Sequence, residues 1–95
     1  MTGDTGANAE ASGWCVYIVR CADNTLYTGV TVDIDARLAA HNAGAGARYT
    51  RARLPVDLVY REPATDRAAA QRREWQIKQM TAVAKRRLIS VSDSP

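Results

Sequence analysis

Two short runs of β-branched and aromatic residues, separated by turn-forming ones, constrain this chain's fold more than any other feature. Trp14-Cys15-Val16-Tyr17-Ile18-Val19-Arg20 and Leu26-Tyr27-Thr28-Gly29-Val30-Thr31 are both rich in side chains that suit a pleated, half-buried surface. Between them lies Ala22-Asp23-Asn24-Thr25, which is turn material. The pattern predicts an antiparallel hairpin. Gly29 would weaken the second strand unless a bulge or a close approach of other atoms needs it.

The remainder of the chain reads as cover for that hairpin. Asp33 can cap a helix running to about Asn42, with Ile34 and Leu38 as its inward stripe. Gly44 and Gly46 end it and open a flexible loop, residues 45–54, which carries Arg48, Arg51 and Arg53 around Tyr49. Pro55 precedes a third strand, Val56 to Tyr60. Thr65 or Asp66 can cap a longer helix to about Met80, and Thr81 starts another short one with Val83, Leu88 and Ile89 as apolar contacts. The order is strand-strand-helix-strand-helix-helix, an α+β domain with a small three-stranded antiparallel sheet flanked by helices. At 95 residues the chain holds one modest core. We place the domain at residues 13–90, between a small, polar, disordered tail (1–12) and a short C-terminal tail (91–95).

Composition narrows the function classes. No apolar run approaches the roughly 20 residues that cross a bilayer, so no membrane association is expected. The N-terminus lacks a basic start and an apolar stretch, so a cytoplasmic address is expected. Cys15 and Cys21, on one extended segment, would lie about 20 Å apart at about 3.3 Å per residue, too far for a disulfide. Two cysteines and one histidine also argue against a zinc finger. Charge is uneven: residues 1–47 carry two bases and five acids, whereas residues 48–87 carry eleven bases and four acids. That concentration suits a polyphosphate partner, though a solvated basic face would look the same.

Several residues can carry chemistry. Tyr17 and Tyr27 sit on the two hairpin strands, near neighbours if they share a face. Close phenols can help deprotonate a water; equally, they can be ordinary half-buried strand residues. Arg37 and His41, at i and i+4, share a helix face. The arginine could clamp a phosphate oxygen and the histidine could place water, orient a tyrosine or hold a phosphate; a solvated face is the alternative. Glu74 falls with Ala70 and Ile77 at the spacing of an inward stripe. A carboxylate there needs a partner: a Mg²⁺ or Mn²⁺ ion, or Lys78 at i+4. Arg48, Arg51, Arg53, Arg73 and Lys78 belong to the basic set for a nucleic-acid backbone, with Tyr49 or Trp75 available for stacking.

Taken together, these motifs resemble the GIY-YIG nuclease family, in its short stand-alone bacterial branch. Cys15-Val16-Tyr17 stands for the first motif, with Cys in place of Gly, and Tyr27-Thr28-Gly29 for the second. Arg37 to Asn42, Tyr49-Thr50, Leu58-Val59-Tyr60 and Arg73 to Lys78 follow in order, so the likeness spans about residues 14–90. The resemblance implies the GIY-YIG endonuclease fold and a metal-dependent hydrolysis of phosphodiester bonds in nucleic acid, taken to be DNA, with low sequence specificity. It implies that Tyr17 and Tyr27 activate or place water, that Arg37 contacts the scissile phosphate, and that His41 occupies a site position. It further implies that Glu74 binds one Mg²⁺ or Mn²⁺ ion, with Gly29 among the positions facing substrate. The competing expectation is a non-catalytic or partner-dependent nucleic-acid-binding module on the same scaffold, with a protein partner supplying the targeting.

Overall fold

A computed structural model describes residues 12–93. The expected N-terminal tail lies outside the described residues except for Ser12. The elements are β1 (Cys15–Arg20), β2 (Leu26–Thr31), α1 (Ile34–Asn42), α2 (Arg48–Arg51), β3 (Asp57–Pro63), α3 (Arg67–Lys78) and α4 (Ala82–Asp93). The sheet has order β2-β1-β3, both pairings antiparallel, so the α+β reading with a three-stranded antiparallel sheet is correct. Asn24 takes the hairpin turn at a positive φ of 69°, a conformation asparagine tolerates better than most residues.

β1 is central and covered on both sides. Its run from Cys15 to Val19 is entirely buried, which is why it reads as continuously apolar rather than alternating. Val16 and Ile18 point to one face, against Ala70 and Ile77 of α3 and Leu88 and Ile89 of α4. Tyr17 and Val19 point to the other, against Ile34 and Leu38 of α1. Ile77 is fully buried, and its truncation to alanine should cost about 2–5 kcal/mol.

Local chemistry starts the helices where expected. Asp33 accepts from the Ala36 amide at 3.1 Å and Asp66 from the Ala69 amide at 2.8 Å, so Asp66 rather than Thr65 is the second cap. Both cysteines are buried and free. Among the described residues no helix is long and apolar enough to cross a membrane.

Four expectations need correcting. The loop at 45–54 contains a helical turn, α2, because the Thr50 side chain is buried and anchored rather than solvated. β3 runs to Pro63, since its pairing with β1 continues as far as Cys15↔Pro63. α4 is not short: it runs from Ala82 to Asp93. Val83 is no core contact, being 68% exposed, whereas Leu88 and Ile89 do pack inward.

Candidate functional site

Glycine 29 decides where the first tyrosine goes. Tyr17 pairs with Gly29 across the hairpin. A Cβ at Gly29 would lie 2.5 Å from Tyr17 Oη and 2.7 Å from its Cζ. The phenol therefore lies flat over a position that only glycine leaves open, and leans across the edge strand toward α1. There its Oη meets His41 Nε2 at 2.9 Å and Arg37 Nε at 3.3 Å. Tyr27 pairs with Val19, two places along β2 from Gly29, so the tyrosines are diagonal neighbours on one face. The Tyr27 ring is edge-on to His41, with centroids 5.6 Å apart, and stacks on Tyr49 at 6.0 Å.

The proton positions follow from the buried hydrogen-bond chain. Thr50 gives its hydroxyl proton to the Ala47 carbonyl at 2.9 Å. Its oxygen must then accept from His41 Nδ1, 2.8 Å away. Burial, and then the Arg37 charge, lower the His41 pKa and hold the ring neutral. With the one proton on Nδ1, Nε2 is bare, so Tyr17 donates to it, and Arg37 Nε donates to Tyr17 Oη. Burial raises the Tyr17 pKa, opposed by Arg37 and aided by the charges of Tyr27 and Glu74, which keeps the phenol protonated for that donation. Arg37 is itself held basic, chiefly by its bond to Tyr17 and further by Tyr27. Its guanidinium is half-buried and donates to Tyr17. Gly46 packs so closely on the imidazole that a Cβ there would collide with His41 Nδ1, so the glycine loop is shaped around the ring.

Glu74 borders this cluster from α3. Ala70 and Ile77 are fully buried, but the Glu74 side chain is 22% exposed, at the margin of the stripe rather than within it. Its carboxylate pairs with Lys78 Nζ at 3.1 Å, and that Nζ lies 5.9 Å from the Tyr27 ring centroid. Among the described residues no group of three or more His, Cys, Asp and Glu converges. One carboxylate is a poor set for zinc but fits an oxygen-seeking ion that keeps its waters and borrows phosphate oxygens, provided Lys78 gives way.

The expected nucleic-acid contacts divide. Arg48, Tyr49, Arg51 and Lys78 face solvent. Gly29 does not; it is buried beneath Tyr17, and its role is to make room. Arg53 is spent on Asp23 at 3.0 Å and lies 4.0 Å over the Tyr49 ring, so it braces the loop against the hairpin turn. Arg73 is fixed to Glu62 at 3.0 Å, and Glu62 also accepts from Tyr60. His41 is fully buried and saturated, so of the roles open to it, orienting Tyr17 is the one this geometry supports. Sequence reasoning gave Thr50 and Asn42 no role. Asn42 clamps the backbone before β3, accepting from Val56 N–H at 2.8 Å and donating to Val56 C=O at 3.1 Å. Its sequence signals are its place at the end of a helix before a glycine loop and at the close of the Arg37–Asn42 stretch.

Comparison with known proteins bears on this arrangement. The profile of the GIY-YIG catalytic domain matches residues 13–87. A UPF0213 protein of Desulfotalea psychrophila is 56% identical over 85 residues, covering 88% of this chain and 77% of that one. A UPF0213 protein of Staphylococcus haemolyticus is 51% identical over 74 residues, covering 78% of this chain and 90% of its own length. The solution NMR structure of a UPF0213 protein from Bacillus halodurans superposes with a TM-score of 0.56 at 38% identity, covering 86% of this chain and 87% of that chain.

Proposed function

This chain belongs to the GIY-YIG family of catalytic domains, and we propose that it is a metal-dependent endonuclease that hydrolyses phosphodiester bonds in nucleic acid, DNA in the first instance. The observation that carries the reading is the gathering of Tyr17, Arg37 and His41 by hydrogen bonds, with the Tyr27 ring edge-on to His41 and the Glu74–Lys78 pair beside Tyr27.

The two phenols differ in what they can do. Tyr17 is fully buried and engaged on both sides, whereas Tyr27 is half-buried. We assign Tyr27 to holding the attacking water at the mouth of the site. Arg37 turns its fork to a non-bridging phosphate oxygen, offsetting the charge that builds there. As it does so it leaves its 3.3 Å contact with Tyr17 and frees a lone pair on Oη. A water proton can then pass to Tyr17 Oη while the Tyr17 proton passes to His41 Nε2. The water oxygen forms the new bond to phosphorus, the bond to the 3′ oxygen breaks, and Thr50 holds the imidazole in place through Nδ1. Glu74 would hold a single Mg²⁺ or Mn²⁺ ion, whose chemistry is to stabilise negative charge on the departing oxygen. Backbone contacts through Arg48, Arg51 and Lys78 carry no base readout, so low sequence specificity follows. A cytoplasmic site of action fits this substrate, and targeting by a protein partner fits so small a domain.

The runner-up, a binding module without catalysis, draws on the Glu74–Lys78 ion pair, which satisfies the carboxylate without metal. One assay separates them. The protein is incubated with branched, nicked and single-stranded DNA and with RNA, in Mg²⁺ or Mn²⁺. Metal-dependent cutting that is lost in Glu74→Ala and Arg37→Ala, with binding retained, supports the nuclease. Binding without cutting of any substrate in either metal sinks it.

A further inference from the structure

Trp75 is the largest side chain of α3 and it packs against almost nothing: it is 65% exposed. The indole is therefore not part of the core. Its surroundings on the helix are specific. Arg72 lies one turn before it and Lys78 one turn after, at i−3 and i+3, and all three face solvent. Lys78 in turn pairs with Glu74 and approaches the Tyr27 ring, so the strip continues into the border of the site. Tyr49, the other aromatic expected to stack, already has the Arg53 guanidinium 4.0 Å over its ring. Among the described residues the indole of Trp75 has no ring or cation partner.

A flat aromatic face between two cations, set on a rigid helix beside a phosphate-handling site, matches one ligand chemistry. An unpaired base offers a π-face to the indole, and its flanking phosphates meet the two cations. A base inside a duplex has both faces covered by its neighbours and cannot stack there. We infer that the Arg72–Trp75–Lys78 strip of α3 is a stacking site for an unpaired nucleotide next to the scissile phosphate, so that the preferred substrates carry single-stranded segments. This rests on the nuclease reading for its context, but it can fail or stand separately, because binding can be read without cutting.

The chain has two tryptophans, and Trp14 is half-buried against the core. Both indoles emit, so the difference between the parent and Trp75→Ala isolates the signal of Trp75. With EDTA present to prevent cleavage, the full chain is titrated with a dT 12-mer and, at the same salt, with a blunt duplex of equal length. The expected result is quenching by the single strand and markedly less by the duplex. Trp75→Ala should lose the quenching and bind the dT 12-mer about tenfold more weakly, and Trp75→Phe should recover most of the affinity. Because the side chain is exposed, Trp75→Ala should melt as the parent does. Equal quenching by the blunt duplex, or unchanged single-strand affinity in Trp75→Ala, overturns the inference. Quenching by single strands in a protein that never cuts supports this site while refuting the nuclease reading.

Discussion

Replacing Gly29 with alanine should damage this protein through one named contact. The new Cβ would sit 2.5 Å from Tyr17 Oη and 2.7 Å from Cζ, where ordinary contact needs about 3.5 Å or more. The ring must therefore move by about 1 Å. It has little freedom to do so: it is fully buried and fastened to His41 and Arg37. Overpacking of this kind costs about 1–3 kcal/mol. Breaking the Tyr17–His41 bond leaves a buried nitrogen unpaired, at about 1–3 kcal/mol. Alanine recovers about 0.5–1 kcal/mol over glycine within a strand. The net loss should be about 2–4 kcal/mol, a fall in Tm of roughly 10–25 °C for a domain of this size. Cutting should fall about 100-fold even where the variant is folded, since a misplacement of about 1 Å is enough. The assay is urea and thermal denaturation of the parent, Gly29→Ala, Tyr17→Phe and the double variant. Removing Oη takes away the nearest collision and both bonds that pin the ring. Gly29→Ala should then cost at least about 1 kcal/mol less in the Tyr17→Phe background. Additivity within about 0.5 kcal/mol, or a Gly29→Ala protein as stable as the parent, would refute the account of why glycine stands here.

Other outcomes follow from the same geometry. His41 has its pKa lowered on folding, so the unfolded chain binds its proton first. Stability should therefore be unaffected by this group above its ordinary value of 6.5 and should decline as pH falls below it, and His41→Asn should flatten that decline in denaturation curves between about pH 4 and 7. Asn42→Ala removes both bonds to Val56 and strands its buried backbone, at about 1–3 kcal/mol, with faster amide exchange at Val56 as the local signature. Lys78→Met should lower the Mg²⁺ concentration giving half-maximal cleavage, because the cation now pairing with Glu74 is gone; a raised requirement would show that Lys78 does not compete there.

The elements that could be read from sequence are those whose signals are local. The hairpin, the Asp33 cap and the i, i+4 placement of Arg37 and His41 depend on neighbours a few residues away, and all are present. The burial of His41 could not be read, because it depends on Thr50 and Gly46 folding back over the ring from beyond the helix. The same holds for Arg73 and Arg53. Each looks like a free cation in a basic stretch, and each is bound by an acid far away in the chain, Glu62 and Asp23. Glu74 departs from its expected inward position by part of a turn. The period-3.6 count places it with Ala70 and Ile77, but a stripe has edges, and a carboxylate stays at the edge where water and Lys78 can reach it.

The two faces of β1 divide the work, and that division governs how variants must be interpreted. Val16 and Ile18 anchor the apolar side under α3 and α4, whereas Tyr17 on the other side ends in a polar chain through His41 and Thr50 to Ala47. On the apolar side a substitution reaches activity only by lowering stability. On the polar side the same bonds hold the fold and, on the nuclease proposal, orient the chemistry, so loss of Tyr17 or His41 would confound the two. Arg37 escapes that ambiguity. It is half-buried, it donates to Tyr17, and it can reach solvent. Arg37→Lys keeps the charge but discards the planar fork, which donates to Tyr17 at rest and would swing to a phosphate oxygen when substrate binds. A folded Arg37→Lys protein that binds nucleic acid yet cuts poorly would locate the defect in the geometry of the guanidinium, and one that cuts normally would show that charge alone suffices there.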